Sequence, residues 1–299
     1  MSHNASNDIV YLNGEYLAMS DAKISPMDRG FLFGDGIYEV IPAYNGKLVG
    51  FAPHIERMQQ GLALIDIELD WSEKEWREVC QQLIEKNSVD AATQTTRENL
   101  GLYLHVSRGA DVKRFHAYPE DIPPTLFAFA FDIPPANVAD KEKTKAYKVS
   151  ATQDLRWQRC NIKSTALLGN VMHFQHGYAQ GYNETLLYNE KDQLTEGSAC
   201  NAYIVKNGVI STPPLDHQIL PGITRLMLLD ILQKHSDFTV EERVITMAEV
   251  YDADEVWLTS SSKEIAPVIE IDGRKVGDGN IGDVWLAAQR LYSQHKHEY

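Results

Sequence analysis

The chain has 299 residues, 43% hydrophobic and 23% charged, a composition typical of a soluble globular protein with one large domain or two ordinary ones. Its formal net charge of −14 argues against nucleic acid or an anionic membrane as the main partner. No apolar run is long enough for a membrane span, and the N-terminal residues lack the features of a signal peptide, which predicts a cytoplasmic protein. The cysteines are widely spaced and odd in number, so we expect reduced thiols at Cys80, Cys160 and Cys200.

Strand and helix signals alternate along the chain without an internal repeat, which predicts an α/β or α+β fold. Four pairs of Asn or Asp with Gly lie between extended apolar segments and suit the positive φ angles of hairpin turns. Much of the sheet should therefore be antiparallel. The pairs are Asn13-Gly14, Asn45-Gly46, Asn207-Gly208 and Asp272-Gly273.

The first half of the chain contains two helix patterns and a strand pattern. Apolar residues three and four apart predict a helix over residues 53–65, with Arg57 off its apolar stripe. A second helix begins at Ser72, which with Glu75 has the spacing of a capping box. The nearly continuous apolar run at 125–131 predicts a buried strand.

Two prolines follow that strand and mark a domain boundary. Pro134 and Pro135 remove backbone donors and fix backbone angles, so neither a helix nor a strand continues through them. We predict a smaller N-terminal α/β domain at residues 1–133, a linker at 134–138 and a larger C-terminal domain at 139–299.

Lys163 is the most informative residue of the second half, because it lies between a polar turn and an almost uncharged helical run at 165–172. The helix after Lys163 is marked by Leu168, Val171, Gln175 and Tyr178. A lysine in such a setting can act as a nucleophile toward a carbonyl, although by itself it also fits a surface lysine with its head group in water. A further helix begins at Gly222-Ile223-Thr224, where free backbone amides beside a hydroxyl could bind an anion. A run of hydroxyl side chains, Thr259 to Ser262, follows a predicted strand.

Together these features meet the needs of one cofactor. Pyridoxal phosphate requires an amine for its aldehyde carbon, donors for its phosphate and a carboxylate for its ring nitrogen. Glu196 is the candidate carboxylate, because the adjacent Gly197 allows a planar ring to approach the backbone closely.

Seven tracts extend this interpretation to a family. In order along the chain they are Asp28–Val40, His54–Arg57, Arg156–Ser164, Leu168–Asn170, Thr195–Ser198, Gly222–Arg225 and Glu264–Glu270. With these tracts the chain resembles the fold-type IV pyridoxal-phosphate transaminases, and among them it is most similar to the D-amino-acid transaminases. The resemblance implies a two-domain α/β (α+β) enzyme with the cofactor between the domains.

The resemblance also implies roles for individual residues. Lys163 would hold the cofactor as a Schiff base and then carry the proton between the substrate Cα and the cofactor. Glu196 would keep the ring nitrogen protonated. The phosphate would be bound by Arg57, Ile223, Thr224 and either Ser261 or Ser260, since only one hydroxyl of that run needs to point inward.

Substrate recognition depends on the segment Ser107 to His116. In D-amino-acid transaminases a matching loop supplies an arginine and a histidine, which bind the substrate α-carboxylate together with a tyrosine; these correspond to Arg114, His116 and Tyr38. The loop is one residue longer here, so either Lys113 or Arg114 could face the substrate. In the family the loop comes from the neighbouring subunit, which implies a homodimer.

The expected reaction moves the amino group of D-alanine or D-glutamate to 2-oxoglutarate or pyruvate. A branched-chain L-amino-acid transaminase, an (R)-amine transaminase and an aminodeoxychorismate lyase share the scaffold and stay open as alternatives. A catalytically silent binding protein is a fourth. No metal is expected, because His173 and His176 have no nearby carboxylate to complete a ligand set.

Overall fold

The computed structural model describes residues 7–90 and 93–299, so residues 1–6 at the N-terminus and residues 91–92 lie outside it. Backbone contacts divide the chain into two compact units. The first runs to Pro135 and also includes Ile162–Leu167 and Tyr299; the second consists of Ala136–Asn161 and Leu168–Glu298. The segment that contains Lys163 therefore belongs to the first unit, which a boundary drawn along the sequence at 134–138 did not anticipate.

The first unit contains a six-stranded sheet with the strand order β2-β1-β6-β5-β3-β4, in which all neighbouring strands are antiparallel. Its strands are β1 (Ile9–Leu12), β2 (Glu15–Ala18), β3 (Gly36–Tyr44), β4 (Lys47–Leu48), β5 (Asn99–Ser107) and β6 (Thr125–Asp132). Its helices are α1 (Arg29–Phe33), α2 (Phe51–Leu64) and α3 (Glu73–Lys86).

One face of this sheet packs against α2 and α3 to form the core of the unit. Trp76 and Cys80 of α3 and Leu104 of β5 are completely or almost completely buried there. The predicted capping box of Ser72 and Glu75 is present at the start of α3. Cys80 is in no disulfide, and the same is true of Cys160 and Cys200.

Strand β6 is not buried on both faces, so the prediction for residues 125–131 was wrong in that respect. Leu126, Ala128 and Ala130 point into the core, whereas the phenylalanines at 127, 129 and 131 lie half-buried on the opposite face. Apolar side chains on both faces of a strand give a continuous apolar run whether or not both faces are covered.

The second unit contains a nine-stranded sheet with the order β12-β11-β10-β13-β14-β7-β8-β9, in which β15 pairs with β14. Parallel pairs join β7 to β8, β7 to β14 and β11 to β12. The strands are β7 (Tyr147–Gln153), β8 (Glu184–Tyr188), β9 (Leu194–Gly197), β10 (Asn201–Lys206), β11 (Val209–Thr212), β12 (Val240–Glu242), β13 (Glu255–Ser260), β14 (Glu264–Ile271) and β15 (Arg274–Lys275).

The helices of the second unit are α4 (Leu168–Tyr178), α5 (Ile223–His235), α6 (Met247–Tyr251) and α7 (Asp283–His295), with a 3₁₀ turn at Lys296–Glu298. Across residues 7–90 and 93–299, no helix combines the length and apolar character needed to cross a membrane.

The four predicted hairpin turns are confirmed. Their first residues all have positive φ angles, and the turns join β1 to β2, β3 to β4, β10 to β11 and β14 to β15. Asn and Asp reach this backbone region more readily than other side chains, and Gly reaches it without strain, which explains why these local signals were reliable.

Helix α4 extends from Leu168 to Tyr178, as the marked positions predicted, but most of its apolar side chains do not face the core. Leu168, Val171 and Tyr178 are exposed, whereas His173 and Gly177 are buried. A side chain at Gly177 would collide with hydroxyl groups of the neighbouring strands β7 and β8, so the helix packs through its smallest residue. The apolar periodicity correctly predicted a helix but not the face that it buries.

Candidate active site

Lys163 lies in a short segment that pairs with the start of β3. The amide of Tyr38 donates to the carbonyl of Lys163 at 3.1 Å, and the amide of Thr165 donates to the carbonyl of Gly36 at 2.9 Å. The Lys163 Nζ lies 4.1 Å from the centroid of the Tyr38 ring. The structure therefore brings together two residues that the sequence placed in one site, and it positions the lysine through its backbone.

Glycines allow this segment to approach the sheet closely. Gly34 has a φ of 67°, and a Cβ at that position would lie 2.8 Å from the Cα of Ala166. A Cβ at Gly36 would lie 2.7 Å from the carbonyl oxygen of Val106. Both contacts are too short for any side chain, which accounts for the Gly34-Asp35-Gly36 tract beside Tyr38.

Arg57 is part of a buried ionic network with Glu39 and His54. Its Nε and Nη2 donate to the two carboxylate oxygens of Glu39 at 2.7 and 2.6 Å. The His54 Nδ1 lies 2.7 Å from Glu39 Oε2. The sequence pattern correctly left Arg57 off the apolar stripe of α2 but did not show that it is buried. Burial also lowers the pKa of His54, and the charges of Arg57 and Lys163 add to this effect.

Burial alone would raise the pKa of Glu39, but the charges and hydrogen bonds of Arg57 and His54 outweigh it and lower the pKa to about 2. Because the folded-state pKa lies below the usual 4.5, this carboxylate stabilises the fold above pH 4.5, and the contribution is lost as the pH falls toward 2.

We expect Glu39→Gln to lower the free energy of unfolding by about 3 kcal/mol at neutral pH, because it leaves Arg57 buried beside a neutral partner. Urea unfolding of both proteins between pH 7 and pH 2.5 measures the difference. The gap between variant and wild type should narrow below pH 4.5; a gap independent of pH would show that the carboxylate charge is not responsible.

The two predicted carboxylate-binding residues of the loop after β5 share one aromatic neighbour. The Arg114 guanidinium carbon lies 5.0 Å from the centroid of the Phe33 ring in α1, and the His116 ring lies 5.3 Å from the same ring. Lys113 instead lies over the ring of Phe115, at 5.2 Å. Arg114 and His116 thus contact the same ring, and Lys113 is directed to a different one.

Glu196 is a buried carboxylate with three donors around it. Its oxygens accept from Arg156 Nη1 at 2.7 Å, from Asn201 Nδ2 at 3.1 Å and from the Leu220 amide at 3.0 Å. Burial raises the pKa of Glu196 to about 7, although the Arg156 charge and the Leu220 amide oppose the rise. The carboxylate is therefore a stronger proton acceptor than an exposed glutamate.

Arg156 was not identified from the sequence as a site residue. It joins Glu196 to Asp154, to which its Nη2 donates at 2.8 Å. The signal that could have found it is its position in the tract Arg156–Ser164, where it shortly precedes Lys163. Asp154 is close to Arg156 in sequence, but Glu196 is 40 residues away. The local sequence pattern therefore could not show the role of Arg156.

Asn201 connects Glu196 with the start of α5 and the end of β13. Its side chain donates to Glu196 and also to the Leu220 carbonyl at 2.9 Å. A Cβ at Gly222, which precedes α5, would collide with the Asn201 amide oxygen, and Asn201 pairs with Thr259 in the sheet. Within the second unit, Asn201 thus links the candidate carboxylate Glu196 to the residues just before α5 and to the end of β13.

The residues at this point fit the phosphate of a pyridoxal cofactor. Helix α5 has no capping side chain at Gly222, and its first two residues, Ile223 and Thr224, are buried. The first amides of a helix have no intrahelical acceptor and favour an anion. Thr259 Oγ1 is buried without a hydrogen-bond partner among the described residues, a feature expected where a polar ligand completes the site.

The serines after Thr259 differ in their exposure. Ser260 and Ser261 are half-buried, whereas Ser262 is exposed. The Ser260 Oγ accepts from the Lys263 amide at 3.3 Å. Of the three serines, Ser260 and Ser261 are thus the two whose hydroxyls remain candidates for the phosphate.

In the described part of the chain, one group of side chains could bring three ligand atoms near a metal ion: His235, His295 and Glu298, within 4.8 Å of one another. The two imidazoles stack at 3.7 Å with an angle of 9° between their planes. Nitrogen lone pairs lie in the ring plane, so parallel rings cannot direct them to one ion in this arrangement.

The chain is similar to known proteins over most of its length. Residues 36–271 match the family model for amino-transferase class IV. A D-alanine aminotransferase of Staphylococcus haemolyticus is 35% identical over 290 residues, which cover 96% of this chain and 97% of that protein.

Two solved structures share the fold. The branched-chain amino acid aminotransferase of Escherichia coli superimposes with a TM-score of 0.86 at 24% identity, over 97% of this chain and 95% of that one. A second branched-chain amino acid aminotransferase, from T.th., was solved as a complex with N-(5'-phosphopyridoxyl)-L-glutamate. It superimposes with a TM-score of 0.83 at 22% identity, over 99% of this chain and 96% of that one.

The family match and the similarity to a D-alanine aminotransferase define an enzyme that transfers amino groups with pyridoxal 5'-phosphate. The chain belongs to the class IV aminotransferase family. The predicted fold class, enzyme class and cofactor are thereby confirmed.

Proposed function

We propose that this enzyme moves the amino group of a D-amino acid, with D-alanine or D-glutamate as donor and 2-oxoglutarate or pyruvate as acceptor. The observation that carries the proposal is the placement of Arg114 and His116 on the Phe33 ring, where a guanidinium and an imidazole can bind one carboxylate. The identity to a D-alanine aminotransferase over 96% of the chain supports the same substrate class.

Lys163 is the catalytic residue of this proposal. Pyridoxal phosphate supplies an aldehyde carbon and a conjugated ring that takes up the electrons of the substrate Cα–H bond. The Nζ of Lys163 holds the cofactor and then moves the proton at Cα. The Tyr38 ring at 4.1 Å from Nζ confines the amine, and the Tyr38 hydroxyl joins Arg114 and His116 at the substrate carboxylate.

Glu196 holds the proton on the ring nitrogen. Its pKa, raised by burial to about 7, makes it a good partner for that proton, and three donors fix its orientation. The phosphate is bound by the amides of Ile223 and Thr224, the Thr224 hydroxyl, Ser261 or Ser260, and Arg57.

We further propose that the active form is a cytoplasmic homodimer in which the loop with Arg114 and His116 serves the neighbouring subunit. Three large apolar side chains of α1 and the loop, Phe31, Val112 and Phe115, are exposed in the single chain, as expected for a surface that a second copy covers. The free thiols are consistent with a reducing compartment.

A substrate panel tests the proposed function. The holoenzyme is assayed with the D and L forms of alanine, glutamate and valine and with (R)-1-phenylethylamine, each with and without 2-oxoglutarate. D-alanine and D-glutamate should be the best donors and should require the keto acid. Preference for L-valine would favour a branched-chain transaminase, and turnover without a keto acid would favour a lyase.

We expect Arg114→Ala to raise the KM for D-alanine about 10- to 100-fold and to leave kcat nearly unchanged, because the lost charge-assisted hydrogen bonds act equally on substrate and transition state. Initial rates with D-alanine measure the effect. Lys113→Ala, in the adjacent exposed position, is the control and should behave like wild type. Equal losses in both variants would remove Arg114 from the carboxylate role.

A further inference from the structure

Arg29 is a buried arginine in α1 that binds the backbone of the loop after β5. Its guanidinium is directed at three consecutive loop carbonyls: Nη1 donates to Phe115 at 2.6 Å and to Ala117 at 3.4 Å, and Nη2 donates to His116 at 3.2 Å. The side chain is only 3% exposed. One guanidinium therefore spans the part of the loop that contains His116 and follows Arg114.

The hydrogen bonds around Arg29 hold its guanidinium in the position that binds the loop. The Asp35 carboxylate accepts from Arg29 Nε at 2.7 Å and also from Arg108 Nε at 2.9 Å. Two guanidinium groups thus share one carboxylate. Arg108 directs its other donors to the carbonyls of Ile65 and Asp66 and to the second oxygen of Asp35. If the loop moved away, the charge-assisted hydrogen bonds from Arg29 Nη1 and Nη2 to its three carbonyls would be lost, which is unfavourable.

The same helix also contacts the side chains of the loop. Phe33 lies one turn after Arg29, and the guanidinium carbon of Arg29 is 4.9 Å from the centroid of its ring. Arg114 and His116 contact this ring as well. Helix α1 therefore fixes the loop backbone through Arg29 and its functional side chains through Phe33.

We propose that Arg29 is a positioning residue for substrate recognition: by binding the carbonyls of residues 115–117 it holds Arg114 and His116 where they meet the substrate carboxylate. This inference rests on the proposed function of the loop. Arg29 does not itself touch the substrate. Its effect reaches the carboxylate through Arg114 and His116.

Arg29→Lys tests the proposal with little change in charge. A lysine keeps the positive charge beside Asp35, but its compact ammonium group cannot bind three carbonyls in a fork geometry. We expect the KM of the holoenzyme for D-alanine to rise about tenfold, with kcat and the cofactor absorbance unchanged. Arg77→Lys, in an exposed pair with Glu73 on α3, is the matched control and should have no effect.

A double-mutant cycle separates positioning from general damage. If Arg29 acts through Arg114 and His116, then Arg29→Lys combined with Arg114→Ala should raise KM by less than the product of the two single effects. Multiplying effects of the two changes would overturn the proposal. A decrease of kcat or of cofactor loading without a change in KM would overturn it too, because that is the signature of a merely structural role.

Limited proteolysis tests the anchoring without using activity. Trypsin cleaves after Lys113 and Arg114, both exposed, and Arg29→Lys keeps every trypsin site. Cleavage in the loop should be about tenfold faster in Arg29→Lys than in wild-type holoenzyme or Arg77→Lys at the same temperature. An unchanged rate overturns the anchoring. Faster cleavage together with an Arg114→Ala variant that binds D-alanine normally would instead refute the proposed function of the loop.

Discussion

Lys163→Ala is expected to abolish amino transfer, with a loss of at least about 10⁴-fold in turnover, because both the covalent attachment of the cofactor and the proton transfer at Cα require this amine. The change should leave the fold intact, since Lys163 is joined to β3 through its backbone carbonyl rather than its side chain. Coupled assays of D-alanine with 2-oxoglutarate measure turnover, and circular dichroism measures the fold.

Lys47→Ala is the matched control, because Lys47 is an exposed lysine in the same unit. It should keep wild-type activity. A Lys163→Ala variant that turns over D-alanine at the wild-type rate would show that another residue performs the chemistry.

Glu196→Gln is expected to reduce kcat about 10²- to 10³-fold, the range found when a buried group that stabilises developing charge is removed. Glutamine keeps the shape and can still bond to Asn201 and the Leu220 amide, but it has no charge with which to keep the ring nitrogen protonated. Single-turnover rates with D-alanine isolate this step. Glu190→Gln, an exposed residue of the same unit, serves as the control.

The unusual pKa of Glu196 gives an independent check on the cofactor-free protein. Burial raises its pKa from 4.5 to about 7, so the folded chain binds this proton more tightly than the unfolded chain does. The resulting stability is fully present below pH 4.5 and is lost as the pH rises through 7. The stability of the wild type relative to Glu196→Gln should therefore decrease over that interval. A relative stability that increases with pH would mean that Arg156 dominates and that the pKa is lowered.

Local signals in the sequence predicted the local features of the fold. The hairpin at Asn13-Gly14 and the capping box of Ser72 and Glu75 depend on residues within three positions of one another, and both are present. The face buried by α4 and the half-buried phenylalanines of β6 depend on what packs against them, which one sequence does not contain. Periodicity predicted these elements but not their surroundings.

The same distinction holds for the candidate site. Lys163, Glu196 and Thr224 were identified from residue type, neighbours and family resemblance, and their roles stay predictions. Arg29 and Arg156 were missed, because each acts through partners that the fold brings close: Arg29 contacts a loop 86 residues away in sequence, and Arg156 contacts a carboxylate 40 residues away. An arginine among many gives no local sign of such a pairing.

Borohydride reduction of the holoenzyme followed by peptide mapping tests the central claim most directly. Reduction fixes the cofactor to the amine that holds it, and mass spectrometry then identifies the modified residue. We expect one pyridoxyl group on the peptide that contains Lys163 and none elsewhere. A pyridoxyl group on a different lysine, or a reduced holoenzyme with no modified peptide, would contradict the account.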